Sequence, residues 1–314
     1  MANQSTFPEF ELVGFPGVPQ TFYMPLSFAI LIVYLVTVIA NSAVILLVII
    51  KEKLHQPMYI LIANLSMSDL LFDTATLPKI MAKYWSNVGK ISLVSCAFQL
   101  YVVHWLGLLD SFILLLMSFD RYVAICHPLR YSSTVTPKVT VATCTCYWIV
   151  AAFITLDITI IFRHPFCGLK IINFFCSSSA LMRLTCDNVN STREILLIVA
   201  LLTLFGTLAL ICLSYLVILL SVISSSREGS WRKAFYTCST HLLVIAIFYV
   251  PRVFLYIANY AQLALTPDLN VFLVVLHSYL PHLANPVIYC LRTEEVRNAI
   301  FSLFEGNVKL RTVT

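Results

Sequence analysis

The sequence has few charged residues. Only 11% of its 314 residues are Asp, Glu, Lys or Arg, whereas 60% are hydrophobic and the mean hydropathy is +0.89. A soluble globular domain carries about 25% charged residues, so the composition argues against an ordinary soluble protein. The apolar residues are grouped in long blocks, each able to cross about 30 Å of hydrocarbon. We therefore predict a membrane protein with a single domain.

The apolar blocks also lack the period-2 alternation of β-barrel strands. Helices and closed barrels are the structures that satisfy the backbone in lipid, so every block is predicted to be a helix, with kinks where prolines fall inside. The expected fold is an all-α, seven-transmembrane helix bundle. Its predicted spans are residues 24–50, 59–81, 93–119, 139–161, 194–223, 234–260 and 270–291.

Basic residues are absent from residues 1–50, and the first connection then brings Lys51 and Lys53. Since Lys and Arg concentrate on the cytoplasmic side of membrane proteins, the amino terminus is predicted to be extracellular and the carboxyl terminus cytoplasmic. The start of the chain lacks a basic region followed by an apolar core, so no cleavable signal peptide is expected. This orientation gives an extracellular tail 1–23, a bundle 24–291 with a long extracellular loop 162–193, and a cytoplasmic tail 292–314.

Two N-glycosylation sequons fall on the extracellular side, at Asn3 and Asn190. Four of the ten cysteines fall there too, an even number in an oxidising compartment, and they allow three pairings. The other six are expected to pack as small apolar residues, and no cysteine cluster has zinc-binding spacing. The four extracellular cysteines are Cys96, Cys167, Cys176 and Cys186.

Five separated stretches resemble, in order, the olfactory (odorant) receptors, a branch of the rhodopsin-like (class A) G-protein-coupled receptors. They are PMYILIANLSMSDL at 57–70, MSFDRYVAICHPLRY at 117–131, Ser214-Tyr215, KAFYTCSTHL at 233–242 and PHLANPVIYCLR at 281–292. Phe15-Pro16-Gly17 resembles the class I, or fish-like, branch, which is often associated with water-soluble odorants.

The chain departs from this pattern at two places. Ala40-Asn41 replaces the usual Gly-Asn of the first helix, and Met117-Ser118-Phe119 replaces Met-Ala-Tyr. Both are small changes in side-chain size and are not expected to disable signalling.

The resemblance implies an odorant receptor that activates a heterotrimeric, stimulatory olfactory-type G protein and raises cAMP. It implies a multi-pass protein of the plasma membrane, in the cilia of olfactory sensory neurons. The expected partners are a small-molecule odorant, the G protein and membrane lipid, with no nucleic acid. A non-olfactory chemosensory receptor for a small metabolite is the alternative. A transporter is disfavoured because the chain lacks paired half-helix repeats, and the sequence shows no catalytic set of an enzyme.

Asp120-Arg121-Tyr122 lies at the predicted cytoplasmic end of the third span. The carboxylate can neutralise the guanidinium in the silent receptor, and the planar Arg fork can contact a partner once released. A charge pair that merely anchors the helix end is the structural alternative. The resemblance implies that Tyr215 and Tyr289 hold the active arrangement, and Pro286 beside Asn285 makes a plausible hinge.

Asp69 and Asp110 lie deep in the second and third spans, where a carboxylate needs a partner, a proton or a cation. The resemblance places them at an internal sodium site, with Ser66 or Asn285 as a neighbour; a protonated, hydrogen-bonded Asp is the alternative. No other cofactor is expected. His241, His277 and His282 have no acidic partners at metal-ligand spacing in the sequence.

The ligand pocket is expected in the outer half of the bundle. His104 lies eight residues beyond Cys96, about 12 Å into its helix, and is either a direct ligand contact or a satisfied buried histidine. With the positions that line this region in the resembled family, the predicted pocket residues are His104, Leu108, Ser111, Ser178, Ser179, Val199, Thr203, Arg252, Tyr256 and Tyr260.

Arg252 is the most informative of these residues. It lies within the predicted sixth span, where an unpaired guanidinium costs several kcal/mol. It must meet a ligand carboxylate or other polar ligand group, an internal acid, or water. Related class I receptors for short acids carry a base nearer the outer end of the sixth helix, where this chain has Tyr260.

The resemblance also implies the disulfides Cys96–Cys176 and Cys167–Cys186. After the seventh span, residues 293–304 place Val296, Ile300, Phe301 and Phe304 at helical spacing among charges. This pattern predicts a short amphipathic helix on the inner leaflet.

Overall fold

A computed structural model describes residues 9–224, 230–261, 263–292 and 297, without the side chains of 230–237, 259, 260, 291 and 292. Within this part of the chain, seven helices are long and apolar enough to cross a membrane, as the sequence predicts. The helices are α1 (Tyr23–Ile50), α2 (Pro57–Ser86), α3 (Leu93–Cys126), α4 (Pro128–Thr134), α5 (Pro137–Ile154), α6 (Ser178–Met182), α7 (Asn190–Ser224), α8 (Ser230–Tyr260) and α9 (Pro267–Arg292). The predicted amphipathic segment 293–304 lies outside the described residues, except for Arg297.

The spanning helices extend beyond the apolar runs from which they were predicted. The third one continues from 119 to Cys126 and so includes Asp120-Arg121-Tyr122 within α3. The fourth one changes character, because α5 ends at Ile154 and a 3-10 helix follows over Thr155–Arg163. Hydropathy marks only the hydrocarbon-crossing part of a helix, and polar caps set its ends: Ser92 Oγ accepts from Ser95 N at 3.2 Å at the start of α3.

The extracellular tail adds a small sheet that the all-α prediction missed. Its strands are β1 (Glu9–Leu12), β2 (Lys90–Ser92) and β3 (Lys170–Ile171), in the order β2-β1-β3. β1 pairs antiparallel with β2 and parallel with β3. Phe10 and Leu12 are 0% exposed, so the tail packs onto the extracellular surface of the bundle. Strands of two to four residues are too short to show a periodicity in the sequence.

Both predicted disulfides are confirmed. Cys96–Cys176 joins the start of α3 to the long loop, and Cys167–Cys186 closes a shorter turn within that loop. Gln99 reinforces the first bridge, because its Oε1 accepts from Cys176 N at 2.9 Å while its Nε2 donates to Ala75 O at 2.8 Å. The loop is thereby held over the bundle, and α6 lies at the mouth of the interior.

Tyr84 is expected to stabilise the tail against the bundle. Its hydroxyl accepts from Phe15 N at 2.8 Å, and the side chain is 2% exposed. Tyr84→Phe removes this bond and should cost about 1 kcal/mol, seen as a Tm lower by about 3 °C for the purified receptor in thermal unfolding. Tyr34→Phe is the control, since the contact between the Tyr34 hydroxyl and Thr74 Oγ1 is long, at 3.4 Å, and exposed. Equal Tm shifts for the two variants would contradict this role of Tyr84.

Candidate functional site

A cavity of about 460 Å³ opens between α3, α7, α8 and α9, beneath α6. Its volume suits a small organic ligand. Of the predicted pocket residues, His104, Leu108, Ser111, Ser178, Ser179, Val199, Thr203, Arg252 and Tyr256 line it. Tyr260 is the last residue of α8, and its side chain lies outside the described part of the chain.

Arg252 projects from α8 into this cavity. Its guanidinium carbon lies 4.0 Å from the centroid of the Phe248 ring, and Nη1 donates to Gly107 O of α3 at a long 3.4 Å. Among the described residues no carboxylate lies within ion-pair distance, although Asp110 is near enough to interact electrostatically. The described residues therefore include no direct ion pair for Arg252, and pairing with an internal acid, one of the predicted alternatives, is not seen among them.

The charged groups lining the cavity are predominantly basic. Arg183 from the end of the α6 segment and Arg193 from the first turns of α7 join Arg252, against one acid, Asp157. In the sequence, Arg183 and Arg193 simply fall within the predicted extracellular loop 162–193, because nothing local indicates that this loop returns over the cavity. The lining therefore favours a ligand with negative charge.

His104 is satisfied by two protein hydrogen bonds. Nδ1 donates to Leu100 O at 2.8 Å, and Nε2 lies 3.3 Å from Ser178 Oγ. Because a carbonyl only accepts, the proton is assigned to Nδ1 and Nε2 accepts from the Ser178 hydroxyl. His104 thus lines the cavity and positions α6.

Below the cavity, His282 of α9 lies among buried acids. Nδ1 is 2.7 Å from Asp73 Oδ1, and Nε2 is 3.5 Å from Asp69 Oδ1. The expectation that His282 lacks acidic partners is wrong, because those partners come from α2, more than 200 positions earlier in the sequence. Asn285 Nδ2 donates to Asp69 Oδ2 at 3.1 Å, so Asn285 is the one of the two neighbours implied by the resemblance, Ser66 and Asn285, that bonds Asp69.

Asp110 of α3 completes this cluster. Ligand atoms of Asp69, Asp110 and His282 all lie within 4.8 Å of one another. Oδ1 of Asp69 and Oδ1 of Asp110 are buried and have no hydrogen-bond partner among the described residues. Such carboxylate oxygens suit a bound cation or proton, as the sequence anticipated for Asp69 and Asp110.

The cytoplasmic end of α3 contains a closed ion pair. Arg121 Nη2 and Nε donate to Asp120 Oδ2 at 2.6 and 3.0 Å, and Asp120 is 2% exposed. Tyr131 of α4 donates to the other oxygen, Oδ1, at 2.8 Å. Burial and then the Asp120 charge raise the pKa of Tyr131, so its hydroxyl remains a donor. Sequence analysis assigned Tyr131 no role, although it ends the PLRY stretch.

The other predicted activation residues make no hydrogen bond to this ion pair among the described residues, and each has its own environment. Tyr122 points outward to His127 Nε2 at 3.2 Å. The Tyr215 hydroxyl is buried without a hydrogen-bond partner among the described residues, as is Nε2 of His241. Tyr289 is 1% exposed, and its hydroxyl meets Met117 Sδ at 3.8 Å. Pro286 lies within α9, next to Asn285.

Of the two predicted glycosylation sites, Asn190 is exposed at the first position of α7. Asn3 lies outside the described residues. Use of either site stays a prediction.

Comparison with known proteins gives one consistent result. Residues 30–306 match the family model described as olfactory receptor. Olfactory receptor 287 of Rattus norvegicus is 36% identical, covering 97% of both chains, and olfactory receptor 51E1 of Homo sapiens is 35% identical, covering 96% of this chain and 95% of its own. The crystal structure of squid rhodopsin superposes with a TM-score of 0.74 at 20% identity, covering 93% of this chain and 87% of that one.

Proposed function

Since this chain belongs to the olfactory receptor family, we propose that it binds a small carboxylic-acid odorant in its cavity and activates a stimulatory, olfactory-type G protein. The family makes it a multi-pass receptor of the plasma membrane and not an enzyme. The cAMP response, the ligand class and the location in cilia of olfactory neurons are parts of the proposal. So are the class I assignment and the roles of the individual pocket residues.

Arg252 is the observation that carries the ligand class. Among the described residues, the Arg252 guanidinium contacts the face of the Phe248 ring and the distant Gly107 carbonyl, which leaves most of its five N–H donors available to a ligand. A carboxylate can accept two parallel hydrogen bonds from that planar fork. Arg183 and Arg193 near the cavity mouth would attract the same anion.

The remaining lining suits the hydrocarbon part of such a ligand. Leu108, Val199 and Leu255 provide apolar walls, and Tyr256 adds a hydroxyl with an aromatic face. A small amphipathic acid needs this combination of one charged anchor and an apolar surround.

The signal would pass to the ion pair of Asp120 and Arg121. A ligand carboxylate on Arg252 would change how α8 packs against Gly107 of α3. Tyr215 and His241 have buried polar atoms without described partners, and both interact electrostatically with Arg121. These atoms are available to accept from Arg121 when it leaves Asp120, which supports the proposed role of Tyr215 in the active arrangement.

The proposal is tested by screening odorants in matched pairs. Cells expressing the receptor are exposed to carboxylic acids of increasing chain length and to the methyl ester of each, and cAMP is recorded. We expect a concentration-dependent rise for a subset of acids and a much weaker one for their esters. A receptor that responds equally to acid and ester would contradict the ligand class, while leaving receptor function intact.

Tyr131 is expected to hold the silent state. Tyr131→Phe removes a hydrogen bond to a buried carboxylate, worth about 1.5 kcal/mol, and should shift the closed-to-open equilibrium about tenfold. The readout is higher cAMP without odorant, normalised to receptor at the cell surface.

Tyr101→Phe is the matched control for this variant. It also removes a tyrosine hydrogen bond, to Ala152 O at 3.0 Å, but in the outer half of the bundle. If Tyr131→Phe left basal cAMP unchanged, or Tyr101→Phe raised it as much, the role of Tyr131 would be wrong.

A further inference from the structure

We propose that Asp69, Asp110 and His282 form a binding site for a divalent transition-metal ion, with zinc as the probe. Their ligand atoms converge from α2, α3 and α9 within 4.8 Å of one another. All three side chains are at most 3% exposed. This site is separate from the odorant cavity and does not depend on the proposed ligand class.

His282 is oriented as metal-binding histidines are. Its Nδ1 lies 2.7 Å from Asp73 Oδ1, so the N–H donates to that carboxylate and Nε2 faces the opposite way with its lone pair. A metal-ligating histidine almost always donates its other ring N–H to an acceptor such as a carboxylate, which fixes the tautomer and the ring. Asp73 is therefore the positioning residue of the site.

The spacing of the ligand atoms fits one ion. His282 Nε2 and Asp69 Oδ1 are 3.5 Å apart, close to the separation of about 3.3 Å that two ligands make at about 2.0 Å from a tetrahedral zinc. Asn285 donates to the other oxygen, Oδ2, of Asp69. It thereby holds the carboxylate so that Oδ1 faces the cluster.

Unpartnered oxygens independently indicate a ligand. Oδ1 of Asp110 is fully buried and accepts no hydrogen bond from the described residues, and the equally buried Oδ1 of Asp69 has only the 3.5 Å approach of His282 Nε2. A buried carboxylate oxygen without a donor is costly. A metal ion between the two carboxylates would remove that cost for both.

The donor set distinguishes this ion from the sodium predicted at Asp69 and Asp110. Hard cations take oxygen ligands, whereas imidazole nitrogen suits zinc, copper, iron and nickel. His282 places a nitrogen where an oxygen-only shell would be expected, so the set does not fit sodium as well as it fits zinc. Three protein ligands from His and Asp leave a fourth position for water.

The site lies next to the odorant cavity, from which an ion would enter. Three residues that line the cavity show this proximity. Phe72 directly precedes Asp73 and Ser111 directly follows Asp110 in the sequence. Ser278 lies one helical turn before His282. An ion there would tie three helices together in the arrangement that has Asp120 and Arg121 paired. Zinc should therefore stabilise the silent receptor and shift the odorant response to higher concentration.

The test uses the purified full-length receptor in lipid nanodiscs, stripped with a chelator and titrated with zinc chloride. We expect one zinc bound per receptor and a Tm raised by about 5 °C at a hundredfold excess over Kd. His282→Asn and Asp110→Asn should each abolish both effects. Asp73→Asn should weaken zinc binding about 10–100-fold, a graded loss that a general folding defect would not produce.

Two further variants make the outcome decisive even if the first ones fold poorly. Asp110→Cys supplies a soft thiolate and should increase the affinity for cadmium. His164→Asn removes an extracellular histidine that lies 3.9 Å from Asp187, and it should leave the zinc effect unchanged. Absence of zinc binding, a zinc effect lost in His164→Asn but kept in His282→Asn, or an equal Tm rise with sodium chloride in place of zinc would overturn the proposal.

Discussion

Replacing Arg252 with glutamine should raise the half-maximal concentration of an active carboxylic acid by about 30-fold or more. Removing one partner of a buried, hydrogen-bonded charge pair costs about 2–5 kcal/mol in binding, and 1.4 kcal/mol is tenfold. Arg252 lines the cavity and has no carboxylate within ion-pair distance among the described residues, so the ligand acid is its expected partner. The measurement is a cAMP dose–response curve normalised to surface receptor.

Three comparisons separate recognition from damage to the fold. Arg193→Gln changes a lining arginine near the mouth, which is exposed, and should weaken the response much less because solvent screens it. Arg252→Lys keeps the charge but loses the planar fork, so its half-maximal acid concentration should lie between those of wild type and Arg252→Gln. The wild type and Arg252→Gln should give similar cAMP responses to the methyl ester. An unchanged acid response in Arg252→Gln would exclude the acid anchor.

Replacing Cys96 or Cys176 with serine should abolish most surface expression. Their disulfide spans 80 residues, and closing a loop of that length stabilises the fold by about 4.5 kcal/mol in the chain-entropy account. Beside the bridge, Gln99 bonds Cys176 N and His104 bonds Ser178, so the same part of the loop is held over the cavity. Cys167→Ser removes a bridge that spans only 19 residues. It should lower stability by about 3 kcal/mol and reduce surface expression less.

The double variant Cys96→Ser/Cys176→Ser should behave like either single variant, since both remove the same bond. Cys146→Ser is the control, because Cys146 is an exposed free thiol on α5. Surface staining and the Tm of the purified protein are the measurements. Normal expression of Cys176→Ser, or strictly additive losses, would contradict the structural role of this bridge.

The bundle could be predicted because lipid makes helices obligatory and hydropathy locates them in the sequence. Asp120 and Arg121 could be predicted to pair because they are neighbours, and the resemblance suggested both disulfides. These features depend on local pattern or on a motif that the residues themselves display. Helix ends were less accurate, since α3 continues seven residues past its predicted end at 119.

Most of the missed features depend on contacts between segments that are distant in the sequence. His282 was judged to lack acidic partners, yet Asp73 reaches it from 209 positions away. Arg183 joins the cavity only because the disulfide-bonded loop folds over the bundle. β1 is stabilised by pairing with β2 and β3, which no periodicity of four residues reveals. Helix packing brings these groups together, and a single sequence contains no direct signal of that packing.

The central claim is that an acid bound near Arg252 drives a stimulatory G protein. It is tested most directly in cells that lack endogenous stimulatory α subunits, with or without the olfactory-type α subunit restored, exposed to the most potent acid of the screen. The account predicts a concentration-dependent cAMP rise only in restored cells, and its loss in Arg252→Gln at equal surface expression. A cAMP rise without the α subunit, or none with it despite verified surface receptor, would contradict the claim.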